Sequence, residues 1–198
     1  MVSQKFYFIF IVFFFVCVVR SECQFNLTPY IGFEKVNFQD LPLQPLNNNK
    51  FNFTIGLSLE KKIGENIGLE YSFMYTENTH TFSGGDTPGS QDYRFRNKFL
   101  GNNLSINYAI HTKLKFGLGL DFRYSISGQK ENLTTRSIDT EVKNNLMTGV
   151  LTSLDLFHNI FSFRIYNIFR IDNNELEGKD IQNYYGITLG YKLSVTRK

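Results

Sequence analysis

Charged residues recur on one side of several segments that have the two-residue period of a β-strand. These candidates are Glu60, Glu70, Lys115, Asp121, Arg123, Arg164, Arg170 and Lys192. Because successive side chains of a strand point to opposite faces, the charges share one face and the apolar residues between them share the other. Acids and bases together on an enclosed face are typical of a network of mutually paired charges. A path that conducts ions is the alternative use of the same residues.

Nucleophilic catalysis would require a hydroxyl or thiol held beside a base. Two of the three histidines lie in short turns, and only His80 has a serine and an aspartate nearby, at Ser83 and Asp86. These three groups fall in one predicted loop, where nothing in the sequence holds their geometry. The glycine-rich run at 84–89 lacks the Lys-Ser/Thr ending of a phosphate-binding loop. We therefore predict no enzyme activity, and neither a cofactor nor a metal ion.

The first 23 residues predict a cleavable signal peptide. Lys5 gives a positively charged start, residues 6–19 are apolar, and the stretch is too short for a transmembrane helix. Ser21 and Cys23 are small enough to place the cut before Gln24, and acylation of Cys23, as in a lipoprotein, is the alternative. Both cysteines of the chain fall in this segment, so residues 24–198 are expected to form no disulfide. The net charge of +3 is too small to indicate nucleic acid as a partner.

Residues 24–198 are predicted to form one all-β domain of eight strands. The predicted strands are 25–37, 51–61, 67–76, 93–110, 114–127, 137–156, 160–171 and 184–195. Their connections alternate long and short, a rhythm typical of an antiparallel up-and-down barrel with every long loop at one end. In the fourth strand the apolar residues are odd-numbered at Phe95 and Phe99 but even-numbered from Leu104 onward, which predicts a β-bulge or a bend near residues 100–103.

The apolar faces together hold about forty large side chains, more than the interior of an eight-stranded barrel can enclose. We therefore expect these faces to meet lipid, while the faces rich in Gly, Ser, Thr and Asn line the interior. A closed barrel also satisfies every backbone polar group where water is absent. The alternative is a secreted, lipocalin-like binding protein with its apolar face inward, although the chain contains no tryptophan.

Tyrosines fall near both ends of the predicted strands, where a transmembrane barrel carries girdles of aromatic residues at the membrane interfaces. Tyr71, Tyr75, Tyr124 and Tyr185 are predicted for the long-loop end, and Tyr108 and Tyr191 for the short-turn end. The two-ended grouping favours girdles over a simple preference of aromatic residues for strands.

The C-terminal stretch 184–191, reading YYGITLGY, resembles the last-strand signal that the bacterial barrel-insertion machinery recognises. With its eight predicted strands, the chain resembles the small outer-membrane β-barrels of the porin family, the OmpA- and OmpX-like group. The resemblance covers residues 24–198 and implies a location in the cell outer membrane, with outer-membrane lipid and the insertion machinery as partners.

The predicted function is that of a structural or surface-interaction barrel, whose four exposed loops contact any surface partner. A narrow passive channel for small solutes is one alternative, and the lipocalin-like carrier is another. A lipid-modifying enzyme that depends on His80 is a further alternative.

Overall fold

The computed structural model describes residues 25–38, 51–82, 91–140, 146–171 and 181–195. They form a ten-stranded antiparallel sheet of β1 (Phe25–Phe38), β2 (Asn52–Lys62), β3 (Ile67–Phe82), β4 (Tyr93–His111), β5 (Leu114–Asn132), β6 (Ile138–Thr140), β7 (Leu146–His158), β8 (Phe161–Arg170), β9 (Ile181–Tyr191) and β10 (Leu193–Val195). The first strand pairs with β9 and β10 as well as with β2, so the sheet closes on itself. Because β10 continues the line of β9 and β6 is a short addition beside β5, eight strands form the wall. The prediction of an eight-stranded up-and-down barrel is confirmed, and the predicted signal peptide, 1–23, lies outside the described residues.

The pairing register gives the tilt of the strands. A walk around the barrel that starts at Leu193 and moves to the paired residue on each neighbouring strand ends at Asn183, ten residues earlier in the chain than its start. The residues passed on the way are Leu27, Leu59, Tyr71, Leu104, Leu120, Val150 and Phe169. A stagger of ten over eight strands, with the usual strand rise and spacing, tilts the strands by about 40°. Each residue then advances about 2.5 Å along the barrel axis, and each step to a neighbouring strand shifts the height by about 3 Å.

The apolar side chains face outward. On β8, Phe161, Phe163, Ile165 and Phe169 are exposed, and the ten steps from Phe161 to Ile171 cover about 25 Å of height, which is the height of the lipid-facing band of such barrels. In contrast, Arg123 is 0% exposed. An apolar wall around buried charges contradicts the lipocalin-like alternative. The described ranges contain no helix that is long and apolar enough to span a membrane.

The connections fall at two ends of the barrel. Short turns at 63–66, 112–113 and 159–160 lie at one end, which we call the lower end. In the last of these, Asn159 has a φ of 55°, in the left-handed region that asparagine tolerates. The strand ends that the other connections join lie at the opposite, upper end, where the long loops were predicted.

Two strands, β3 and β5, extend at least five residues beyond the prediction, and the sixth predicted strand starts later. β3 reaches Phe82 instead of residue 76, and β5 reaches Asn132 instead of residue 127. Together with the upper part of β4 and with β6, they form a projecting sheet above the wall strands β2 and β7. The stretch 138–140 pairs back onto β5, and the sixth wall strand begins at Leu146 rather than near residue 137.

The predicted bulge in β4 at residues 100–103 is wrong. The odd residues from Phe95 to Asn107 face the interior throughout, and Phe99 is 1% exposed. The irregularity lies instead on the partner strand, because Lys98 pairs with Ser127 while Phe99 pairs with Ser125, which leaves Ile126 as the extra residue. The two phenylalanines therefore fill the upper interior rather than contact lipid.

Candidate functional site

The upper interior contains a fully buried arginine between two carboxylates. Arg123 on β5 donates two hydrogen bonds to Glu34 on β1, at 2.6 and 2.8 Å, and its Nε lies 3.0 Å from Asp121 Oδ2. The hydroxyl of Tyr166 on β8 donates to Glu34 at 2.9 Å, and the guanidinium lies 4.3 Å from the centre of the Tyr184 ring. The closed barrel thus brings β1, β5, β8 and β9 together around one cation, whose pairing compensates for its burial.

A second cluster lies lower in the interior. Arg164 donates to both oxygens of Glu70 at 2.6 Å and to both oxygens of Asp155 at 2.5 and 2.8 Å. Glu70 also accepts hydrogen bonds from Ser72 and Asn107, each at 2.8 Å. Each oxygen of both carboxylates and each nitrogen of the guanidinium therefore takes part in at least one of these hydrogen bonds, as an enclosed ion cluster requires.

A third pair lies at the lower mouth. Lys115 donates to Glu60, which also accepts a hydrogen bond from Asn26 at 3.3 Å. The ammonium groups of Lys115 and Lys192 lie 4.8 and 5.2 Å from the centre of the Phe157 ring. These cation–π contacts hold two like charges beside one ring at the mouth.

The upper half of the interior is also filled by apolar and aromatic side chains. Val36, Leu151, Tyr166, Ile168 and Tyr184 form one buried cluster. Two interior spaces among the described residues measure about 20 Å³ beside the Arg164 cluster and about 10 Å³ next to Tyr166, and each has room for about one water molecule. The interior is therefore packed with side chains, and it is less polar than the sequence predicted.

All eight charged residues predicted for the interior lie on inward-facing positions of their strands. Six of them, together with Asp155, form the ion pairs described above, while Arg170 lies higher on β8 and Lys192 lies at the lower mouth. Glu34 was not among the residues predicted for the interior, although it is 0% exposed and holds Arg123 from the opposite wall. The sequence pattern that could have identified Glu34 is its place between Phe33 and Lys35, because these neighbours face outward and the residue between them must face inward.

The predicted girdle tyrosines all lie on outward positions, but Tyr71 departs from the expectation. Tyr108, Tyr185 and Tyr191 are exposed. Tyr71 is instead buried against the wall, and it lies four residues above the lower end of β3 rather than near the upper end. Its hydroxyl donates to the outward-facing Asn102 and so satisfies a polar side chain at the middle of the apolar band.

The projecting sheet carries three cations in a row on its outer face. Arg94, Arg96 and Lys98 alternate along β4, and Glu131 of β5 lies 3.3 Å from Arg94 and 4.0 Å from Arg96. Glu77 on β3 pairs across from Lys98. We call these three cations the β4 basic row, and they outnumber the two neighbouring acids by one.

Of the three residues considered for a lipid-modifying enzyme, only His80 lies in the described part of the chain. His80 pairs with Phe95 in the backbone register of β3 and β4, and Ser83 and Asp86 lie outside the described residues. Within the described ranges, no group of three or more His, Cys, Asp or Glu side chains could hold a metal ion.

A closed barrel of eight antiparallel strands, with an apolar outer wall and ion pairs inside, defines the class of the protein. It is a small β-barrel of the outer-membrane type. No protein-family model matches the chain, and no curated protein matches it.

Solved structures agree with this class. The fold is similar to that of Ail, the attachment invasion locus protein of Yersinia pestis, with a TM-score of 0.53 and 14% identity over 87% of this chain and 100% of that one. OprG, an outer membrane protein of Pseudomonas aeruginosa, gives a TM-score of 0.54 and 15% identity over 86% of this chain and 96% of that one. Neisserial surface protein A gives a TM-score of 0.50 and 12% identity over 87% of this chain and 97% of that one. The resemblance to small outer-membrane barrels is therefore confirmed at the level of the fold.

Proposed function

We propose that the protein is a non-enzymatic outer-membrane barrel that binds a polyanionic surface partner through its projecting sheet. The observation that carries this proposal is the β4 basic row. Its three cations span about 13 Å at the usual rise of a strand, and they stand at the upper end of the barrel, which would face the cell exterior.

The geometry of the row suits a ligand with several negative charges. Side chains two residues apart on a strand are about 7 Å apart, so successive cations can contact successive anionic groups of a chain-like ligand. The pairs of Glu131 with Arg94 and Arg96, at 3.3 and 4.0 Å, are partly exposed. Exposed pairs of this kind contribute about 0–1 kcal/mol, so a stronger anion can displace the carboxylate. Ail has been solved in complex with the heparin analogue sucrose octasulfate, which supports a sulfated ligand class as the first one to test.

Binding of sucrose octasulfate to the refolded barrel in detergent micelles tests the proposal, with sucrose as the uncharged control. The triple variant R94Q/R96Q/K98Q is expected to lose binding. The matched variant Glu131→Gln keeps the shape of the sheet but removes its acid, so it is expected to strengthen binding and increase the dependence on salt. Equal binding by all three proteins would contradict a role of the β4 basic row.

The barrel itself is tested separately. Cell fractionation should recover the protein with the outer membrane, and the folded form should migrate differently on a gel until it is boiled in SDS. If the protein is found in the outer membrane and is heat-modifiable but does not bind sucrose octasulfate, the proposed polyanionic partner is refuted, while the assignment as an outer-membrane barrel stands.

We also propose that β9 carries the signal for the barrel-insertion machinery and that outer-membrane lipid covers the wall. The strand has Tyr185, Ile187, Leu189 and Tyr191 on its outward face. On its inward face, Gly186 leaves the space occupied by the Tyr166 ring, since a Cβ there would lie 2.1 Å from that ring. Loss of the Tyr191 side chain would slow insertion without disturbing the interior clusters.

A further inference from the structure

The outer wall has a groove of about 540 Å³ at a place where small side chains lie among large ones. It crosses β7, β8, β9 and β1, with Leu154, Ile165, Ile187 and Phe33 along its lower side. Thr152 and Asn167 form its floor, because they are the short polar side chains in a region of otherwise bulky residues. The groove opens outward, toward the side of the wall that faces lipid.

The groove follows one row of paired residues. Lys35 pairs with Tyr185, Tyr185 with Asn167, and Asn167 with Thr152. Since each step to the next strand lowers the height by about 3 Å, Thr152 lies about 9 Å below Lys35. The groove therefore runs down from a cation at the upper interface toward the middle of the apolar band.

The floor of the groove contains a polar atom without a partner. The side-chain oxygen of Asn167 is buried, and no donor among the described residues reaches it. The neighbouring Thr152 hydroxyl donates to the backbone carbonyl oxygen of Asn167, at 3.4 Å, and not to the side-chain oxygen. A buried acceptor on a lipid-facing surface is costly unless a donor from the surroundings satisfies it.

We propose that this groove seats one acyl chain of an anionic glycolipid of the outer leaflet. The phosphate of the lipid lies at Lys35, the chain fills the space above Thr152, and a hydroxyl or amide N–H near the head of the chain donates to Asn167. The assignment rests on the proposed outer-membrane location but not on the polyanion partner. It requires a lipid that combines a negative headgroup with a hydrogen-bond donor a few ångströms deeper.

A second copy of the chain fits this groove poorly. In a two-fold dimer the same patch would meet itself, so a groove would face a groove and Lys35 would approach the Lys35 of the other copy. A flexible acyl chain fills the same space without these conflicts. The position on the lipid-facing wall also makes lipid the material that meets the groove.

Native mass spectrometry of the refolded barrel in micelles tests the proposal. Three lipids are added separately: a diphosphorylated glycolipid with amide-linked hydroxyacyl chains, phosphatidylglycerol, and phosphatidylcholine. The glycolipid is expected to give a single saturable adduct. Phosphatidylglycerol, which offers the charge without the deep donor, is expected to bind more weakly, and phosphatidylcholine most weakly.

Variants separate the parts of the site. Asn167→Leu and Lys35→Gln are each expected to weaken retention of the glycolipid about fivefold, the value of one hydrogen bond or one interfacial charge. Thr152→Leu fills the groove and should also weaken it. The matched control is Lys113→Gln, which removes an exposed cation from the short turn at the lower end of the barrel and should leave retention unchanged.

The folded state of each variant is checked by its heat-modifiable migration, so a failure to fold is not mistaken for a loss of lipid. Retention that is equal in the wild type and in Asn167→Leu, or an equal loss in Lys113→Gln, would overturn the proposal. A dimer that replaces the lipid adduct would assign the groove to a second copy and overturn it as well.

Discussion

Removal of the Arg123 guanidinium should be among the most damaging single changes in the barrel. Arg123 and Glu34 are both 0% exposed, and two hydrogen bonds of 2.6 and 2.8 Å join them. The variant Arg123→Met keeps much of the side-chain volume but leaves Glu34 and Asp121 buried as two like charges. Breaking a buried ion pair from one side costs about 3–5 kcal/mol, so we expect a destabilisation of at least that size.

Two further variants, Glu34→Gln and the double variant Glu34→Gln/Arg123→Met, measure how strongly Arg123 and Glu34 depend on each other. Glu34→Gln leaves Arg123 paired with Asp121, so its cost should be smaller, about 1–3 kcal/mol for the altered buried hydrogen bonds. The double variant should cost less than the sum of the single changes, because the residues act as one unit. Arg94→Gln is the surface control, with an expected cost of about 0–1 kcal/mol.

Urea unfolding in lipid bicelles measures these free energies. Because the chain contains no tryptophan, far-UV circular dichroism and the migration of unboiled samples on gels are suitable probes. A cost of less than about 1 kcal/mol for Arg123→Met, with no coupling to Glu34→Gln, would refute the enclosed, mutually dependent charge cluster.

Two other outcomes follow from the wall and the interior. The variant Tyr71→Phe leaves the outward Asn102 without the hydrogen bond from the Tyr71 hydroxyl in the apolar band and should cost about 1–3 kcal/mol of unfolding free energy. The double variant Tyr71→Phe/Asn102→Leu removes both polar groups and should be neutral or stabilising; the reverse order would contradict the pairing. Planar-bilayer recordings of the wild-type barrel should show no steady open events, since side chains pack the interior around Arg123 and Phe99, and a stable conductance would revive the channel alternative.

The alternation of residue types was sufficient to predict the barrel, because each wall strand has one apolar face and the connections alternate in length. It also placed the eight charged candidates on the inward face, where the structure finds them. Which acid meets which base depends on the register and stagger of distant strands, and no local pattern encodes that. Glu34 shows this limit, since its partner is 89 residues away.

The phenylalanines of β4 show a second limit. Phe95 and Phe99 lie on the same inward face of β4 as Gly101 and Asn103. Their hydrophobicity nevertheless favoured an outward position, and it suggested a bulge in β4 although the irregularity lies in β5. Hydrophobicity identifies a face only when the interior is uniformly polar, and this interior is not. The orientation of Tyr71 likewise depends on Asn102 of the neighbouring strand, which the sequence of β3 alone does not reveal.

The placement of Glu34 on the first wall strand has a consequence for assembly. Its partners Arg123 and Tyr166 come from the fifth and eighth strands in the chain, so a curled but unsealed sheet would hold a carboxylate with no cation in reach. Sealing the seam between the first and last strands neutralises that charge in the same event. The final step of folding therefore gains the buried ion pair of Glu34 as well as the hydrogen bonds between the first and last strands. A barrel that is only partly closed is expected to be short-lived.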